Sequence, residues 1–162
     1  MCMKKFDNNK KTGIIFGAVI AALVLSAVLI AGLLIQSGRI RKFKVDVFVL
    51  CNESDICVAN GPDGTVKVHQ DNLPAIYNIL QKSHGKTKAE TKEPSNSISL
   101  EFKCHDEQWT MTIDEIDAEV LRIGLSGPKE KEMYFTNKGS FGEYAQAVSL
   151  KGYNTPNKAI GK

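Results

Sequence analysis

No charged side chain occurs between Gly13 and Ile35, a run of 23 residues. A helix of this length rises about 34 Å, which is enough to cross a hydrocarbon core about 30 Å thick. Ser26 is the only clearly polar side chain in the run. Its hydroxyl can bond to a carbonyl one turn earlier, as lipid surroundings require. These features predict a transmembrane helix at residues 13–36.

The same run lacks the marks of a cleaved signal peptide. Its apolar stretch is longer than the roughly 7–15 residues typical of signal peptides, and no small-x-small cleavage site closes it. The segment 29–32 also lacks the cysteine that bacterial lipid attachment needs. A signal-anchor that is retained is therefore predicted, after a basic N-terminal tail at residues 1–12.

The sequence also lacks an excess of basic residues on one side of the helix. Lysine and arginine favour the cytoplasmic side of a membrane helix, but four basic residues lie on each side of this one. A signal-anchor with a short basic leader usually keeps the leader in the cytosol, so we expect a cytoplasmic N-terminus and an extracytoplasmic C-terminal domain. The four basic residues after the helix form a juxtamembrane linker, 37–44, at the level where membrane lipid presents its headgroups.

Small residues recur four apart within the membrane helix, at Gly13, Gly17 and Ala21. Such a stripe lets two helix backbones approach closely in lipid, which favours helix association. A homodimer through this seam is one reading of the stripe. The other is that alanine and glycine are simply common in membrane helices.

Beyond the linker the chain has little basic charge. The first 44 residues hold 8 of the 21 basic residues and 1 of the 18 acidic residues, which leaves 13 basic and 17 acidic residues in the remainder. The remaining basic residues are scattered along the sequence. No nucleic-acid partner is therefore expected, because phosphate binding needs a concentrated basic surface.

The four cysteines form no CxxC-like pair of the kind that structural zinc sites use, so no metal site is predicted. Cys2 precedes the helix and cannot share a compartment with Cys51, Cys57 and Cys104. Three cysteines on one side allow one disulfide at most. A bridge between Cys51 and Cys104, a bridge between Cys51 and Cys57, and three buried thiols all remain open.

Residues 45–152 are long enough for one modest core. Alternation over Lys44–Cys51, with Val45, Val47 and Val49 on one face, predicts a strand. Extended pieces at residues 56–59 and 65–69 flank a turn rich in glycine and proline, which predicts a hairpin.

The period changes at residues 71–83, where apolar side chains follow helical spacing from Leu73 to Leu80. Asp71 or Asn72 can cap the amino end of this helix, and Pro74 falls within its first turn. A second helix is predicted from Ser140 onwards. Ser140 and Glu143 fit a capping box at its amino end. An apolar stripe runs through residues 141–148, and Gly152 suits the carboxyl end.

Between these helices four strands are predicted, at residues 97–104, 109–113, 119–125 and 132–136, in a meander. Four polar side chains alternate with the apolar ones of the first strand and form a possible partner face: Ser97, Ser99, Glu101 and Lys103. The fold class expected is α+β, a single N-terminal transmembrane helix followed by one small domain with an antiparallel sheet and two helices. Residues 153–162 are expected to form a flexible tail.

Signatures of catalysis are missing. The sequence has no G-x-S-x-G nucleophile turn and no glycine-rich phosphate loop. The acidic run of Asp114, Glu115, Asp117 and Glu119 lacks the glycine of a calcium loop and is interpreted as a solvated hairpin tip. Cys104 and His105 are neighbours on a predicted strand and should point to opposite faces, so they are not expected to share a proton. No catalytic residue and no cofactor are predicted.

These observations favour a non-catalytic binding or accessory domain at the membrane surface, such as a sensor, an accessory subunit or an immunity-type protein. Its expected partners are membrane lipid and another membrane or envelope protein. The alternative is a structural subunit of a membrane-spanning secretion or transfer assembly. A hydrolase acting on the envelope fits less well, because it needs convergent histidine, cysteine or carboxylate side chains.

Overall fold

A computed structural model describes residues 5–61, 64–86 and 92–150 of the chain. Helix α1 extends without interruption from Lys5 to Glu53. From residue 17 onwards this helix is long and apolar enough to cross a membrane. Its large apolar side chains between Val19 and Ile35 are each more than half exposed. The chain separates into two compact units, Met1–Arg39 and Ile40–Lys162.

The strand predicted at Lys44–Cys51 is wrong, because these residues belong to α1. Phe43, Val47 and Leu50 are buried at the spacing of one helix face, whereas Val45 is 52% exposed. The valine alternation therefore does not mark a buried face. The predicted linker at 37–44 is likewise helical. The second compact unit begins at Ile40.

The described residues include one antiparallel sheet of seven strands: β1 Ser54–Gly61, β2 Gly64–Lys67, β3 Gly85–Lys86, β4 Asn96–Cys104, β5 Glu107–Glu115, β6 Val120–Ser126 and β7 Lys131–Thr136. Their spatial order is β2-β1-β4-β5-β6-β7-β3. The predicted hairpin at 56–69 is confirmed as β1 and β2. The predicted meander is confirmed as β4 to β7, each paired with the next.

The helix predicted at 71–83 is confirmed as α2, Leu73–Lys82, and Pro74 lies in its first turn as expected. Asn72 occupies the N-cap position but makes no capping bond with its side chain. A lysine of α1 caps the carboxyl end of α2. Lys44 Nζ donates to the carbonyls of Gln81 and Ser83, at 3.1 and 2.9 Å. A cation at this end complements the helix dipole.

The second predicted helix is α3, Ser140–Ala147, but the capping box expected there is wrong. Gly139 is the N-cap residue, with a φ of 83° that glycine adopts without strain. Ser140 donates its hydroxyl to the Asn137 carbonyl, and the Asn137 side chain accepts the Phe141 amide at 3.1 Å. Gly152 and the predicted tail lie outside the described residues.

The core lies on one face of the sheet. Register places Leu100 of β4 opposite Met111 of β5, and Met111 opposite Leu125 of β6, so that buried side chains form continuous rows. The buried residues of α2, α3 and α1 beyond Ile40 join the same cluster. The predicted α+β class is therefore correct, with helices packed against one side of an antiparallel sheet.

Candidate functional site

The opposite side of the sheet carries polar side chains, and we call it the open face. Strand alternation and register place the four predicted partner residues of β4 there, together with side chains of four neighbouring strands. The face comprises Val58, Ser97, Ser99, Glu101, Lys103, Thr110, Thr112, Asp114, Arg122, Gly124, Ser126, Glu132 and Tyr134. It is a broad polar surface, five strands wide.

A hydrogen-bonded ion pair organises one end of the open face. Asp114 accepts hydrogen bonds from Ser97 Oγ at 2.6 Å and from Arg122 Nε at 2.9 Å. A second guanidinium nitrogen, Nη2, lies 2.7 Å from the same carboxylate. The Asp114 and Arg122 side chains are only 11% and 21% exposed. The hydrogen bond that Arg122 donates to Asp114 raises the pKa of Arg122, so the guanidinium stays charged.

This ion pair corrects the interpretation of Asp114 as part of a solvated hairpin tip. Asp114 lies within β5, and register places it directly opposite Arg122 of β6. A basic residue eight positions after an acidic one, on strands joined by a short turn, is the sequence signal that could have indicated the pair.

Two shallow depressions interrupt the sheet surface. One, of about 330 Å³, is lined by Val58, Glu101 and Thr110 together with side chains near Trp109. The other, of about 300 Å³, lies beside Gly124, where an added Cβ would sit 2.7 Å from Thr112 Oγ1. Both depressions are lined by a mixture of polar and apolar atoms.

The two charges along β4 have different partners. Glu101 accepts a hydrogen bond from Asn60 Nδ2 at 2.9 Å, and Asn60 in turn accepts one from Thr65 Oγ1 at 2.7 Å. Lys103 Nζ lies 3.9 Å from the Asp106 carboxylate. The open face therefore presents a carboxylate and an ammonium two residues apart on one strand, where each is exposed.

A second group of polar side chains lies at the turn between β4 and β5. The expectation that Cys104 and His105 cannot share a proton is wrong, since Cys104 Sγ lies 3.3 Å from His105 Nδ1. His105 and Asp106 have φ angles of 49° and 64°, which form a two-residue hairpin turn and take His105 out of the strand alternation. His105 Nε2 also lies 3.6 Å from Glu53 Oε2 at the end of α1.

The Cys104 thiol in this group is not an activated nucleophile. Burial raises its pKa, and the nearby carboxylates of Glu53, Asp55 and Glu107 raise it further. A thiol of this kind stays protonated at neutral pH, whereas cysteine nucleophiles need a lowered pKa. The ligand atoms of Glu53, Cys104 and His105 nevertheless lie within 4.8 Å of one another, and all three are residue types that bind metal ions.

Cys51, Cys57 and Cys104 are all buried and free, so neither of the two bridges considered from the sequence, with Cys51 joined to Cys104 or to Cys57, is present in the structure. The possible membrane seam at Gly13, Gly17 and Ala21 lies within α1. A Cβ added at Gly17 would meet no atom within 4 Å. Pairing through this seam stays a prediction.

Folding stability is expected to fall at alkaline pH because of Cys57. Burial raises the pKa of this thiol from 9.0 to about 12. Below pH 9 the thiol is protonated in both states; above pH 9 it ionises in the unfolded chain only, which favours unfolding until the folded pKa is reached. The loss attributable to Cys57 should reach about 2 kcal/mol at pH 10.5.

Urea unfolding of the wild type and of Cys57→Ala, at pH 7 and at pH 10.5, measures this contribution as the difference between the two pH dependences. Tyrosine and lysine titration is common to both proteins and cancels. Equal alkaline losses in the two proteins would show that the Cys57 thiol does not contribute.

The described residues thus offer two groups of side chains capable of recognition, the open face and the cluster at the β4–β5 turn. Comparison with protein-family models, with curated proteins and with solved structures found no match for this chain.

Proposed function

We propose that this chain is a single-pass membrane protein whose second unit, Ile40–Lys162, binds another membrane or envelope protein through the open face without catalysing a reaction. The observation that carries the proposal is the open face itself, a five-strand polar surface opposite the helix-covered core. In this proposal the N-terminus is cytoplasmic and the second unit is extracytoplasmic.

The exposed apolar surface of α1 supports the anchoring part of the proposal. Large side chains from Val19 to Ile35 would be costly in water but are stabilised in hydrocarbon. Anchoring also raises the effective concentration of the second unit toward any neighbouring membrane protein. A weak binding surface is sufficient under that condition.

The character of the open face supports protein recognition. Interfaces between proteins have polar rims and exposed charges of both signs that set specificity and encounter rate. Glu101 and Lys103 supply such charges on β4, and the pair of Asp114 and Arg122 holds the adjoining strands in register. A surface of hydroxyl and charged side chains suits a folded partner better than a small apolar ligand.

A photo-cross-linking residue introduced at Ser99 tests this function in native membranes. Ser99 lies in the middle of the open face, opposite Thr112 of β5. The expected result is one discrete adduct from this position and none from Asn78, an exposed position on α2. Equal adducts from both positions, or none from Ser99, would contradict the proposal.

The double charge reversal Glu101→Lys with Lys103→Glu provides a second arm of the same experiment. It preserves net charge and exchanges the two signs on β4, so the yield of the Ser99 adduct should fall at least several-fold. The reversal Glu143→Lys on α3, also exposed, is the matched control and should leave the yield unchanged.

A further inference from the structure

The cluster at the β4–β5 turn lies apart from the open face and needs a separate explanation. Glu53 is the last residue of α1, Cys104 is the last residue of β4, and His105 opens the turn that follows. We propose that Glu53, Cys104 and His105 form a binding site for one divalent cation of the zinc class, with water as the fourth ligand.

Sheet register explains why residues so distant in sequence meet. Ser54, the first residue of β1, pairs with Cys104 of β4, and this pairing places the end of α1 beside the turn. Glu53 therefore approaches Cys104 and His105 as a consequence of strand pairing rather than as a chance contact between mobile side chains.

The distances suit a tetrahedral zinc ion after small adjustments. Zinc bonds of about 2.0–2.3 Å place neighbouring ligand atoms roughly 3.3–3.8 Å apart. His105 Nδ1 lies 3.3 Å from Cys104 Sγ, and its Nε2 lies 3.6 Å from Glu53 Oε2. One of these two nitrogens would bind the ion, and with one ligand atom from each residue the three lie within 4.8 Å of one another. The His105 and Glu53 side chains are 71% and 50% exposed, so both can rotate toward the buried sulfur.

Electrostatics around the sulfur favour a cation. The carboxylates of Glu53, Asp55 and Glu107 all lie near the Cys104 sulfur. Binding of the cation replaces the S–H bond by an S–metal bond and releases one proton to solvent. The negative charge of these carboxylates then stabilises the bound cation.

An independent observation points to the sulfur as a ligand. Ser54 is 6% exposed. Within the described residues its buried Oγ has no hydrogen bond of ordinary length and angle. Its hydroxyl lies beside the Cys104 sulfur. A metal-bound thiolate is a hydrogen-bond acceptor, so it would pair this buried hydroxyl in the outer shell of the site.

The ligand types select the class of cation. Thiolate and imidazole favour zinc and similar transition metals, whereas calcium and magnesium require oxygen ligands in larger number. Co²⁺ is therefore a suitable probe, because it binds such sites in place of zinc and its bond to a thiolate absorbs light.

The test is a Co²⁺ titration of the full-length chain in detergent, without a histidine tag, followed by displacement with Zn²⁺. One equivalent of cobalt should bind with a thiolate charge-transfer band that zinc removes and magnesium does not. Cys104→Ala should abolish the band, and His105→Asn and Glu53→Gln should each weaken zinc binding at least about tenfold. Asparagine is chosen at position 105 because it tolerates positive φ.

Two control variants separate the cluster from other donors of the same type. Cys57→Ala removes a buried thiol and His69→Ala an exposed imidazole outside the cluster, so both should retain wild-type cobalt binding. Because Glu53 is exposed, Glu53→Gln is expected to leave the fold intact. Absence of the thiolate band in the wild type, its persistence in Cys104→Ala, or unchanged zinc affinity in both His105→Asn and Glu53→Gln would overturn the site.

Discussion

Phe43→Ala is expected to destabilise the second unit by about 3–5 kcal/mol, the largest effect of any single substitution considered for this chain. Phe43 is 1% exposed, and its ring centroid lies 5.8 Å from that of Phe135 in β7. Truncation removes this aromatic contact and leaves a cavity between α1 and the sheet. The substitution thus measures how far the end of a membrane-type helix contributes to a folded core.

Val45→Ala is the matched control, two residues along the same helix. Its side chain is 52% exposed, so its loss should change the free energy of unfolding by less than about 0.5 kcal/mol. Urea unfolding in mild detergent, followed by the fluorescence of Trp109, measures both variants. Trp109 is the single tryptophan and lies in β5, so its signal reports on the sheet. Similar small losses for both variants would contradict the packing of α1 against the core.

Asp114→Ala is expected to cost about 2–4 kcal/mol, because it leaves the largely buried Arg122 guanidinium without its ion-pair partner. The Ser97 hydroxyl also loses one acceptor. A paired replacement, Asp114→Leu with Arg122→Met, should recover much of this loss, since two apolar side chains leave no unpaired charge. The same fluorescence assay applies.

Lys86→Ala provides the control for Asp114→Ala. It breaks a longer ion pair with Glu119, 3.3 Å against 2.7 Å, in which the Glu119 side chain is exposed. Its expected cost is therefore below about 1 kcal/mol. Equal losses from Asp114→Ala and Lys86→Ala would mean that burial does not strengthen the pair of Asp114 and Arg122.

The elements that could be predicted from the sequence are those in which one period and one burial pattern coincide. In β4 the residues Ile98, Leu100 and Phe102 alternate with polar side chains and are all buried. In α2 the spacing of the apolar residues and the position of Pro74 predict a helix in the same segment. Local pattern and tertiary burial lead to the same structure in these segments.

The end of α1 could not be predicted in this way because two patterns overlap there. Val45, Val47 and Val49 alternate like a strand, but only Val47 of the three is fully buried, and the buried Leu50 falls outside the alternation. The preceding apolar run favours a helix, and packing against the sheet stabilises it, so this segment is helical rather than extended. The same limitation applies wherever valine alternation continues a long helix.

The side chains of the candidate sites depend on geometry that residue patterns do not contain. The contact between Cys104 and His105 requires two successive residues with positive φ, neither of them glycine. The approach of Glu53 to these residues depends on which strands pair, and β1 pairs with β4 rather than only with its sequence neighbour β2. The spacing of sequence motifs predicts neither the contact between Cys104 and His105 nor the approach of Glu53.

Alkaline carbonate extraction of membranes that carry the full-length chain tests the central claim, that α1 is a retained membrane anchor. We expect the uncleaved chain to remain with the membrane pellet, because a helix that spans lipid is released only when the bilayer is dissolved. Recovery of the uncleaved chain in the soluble fraction, or of a mature product that begins near residue 38, would contradict this account.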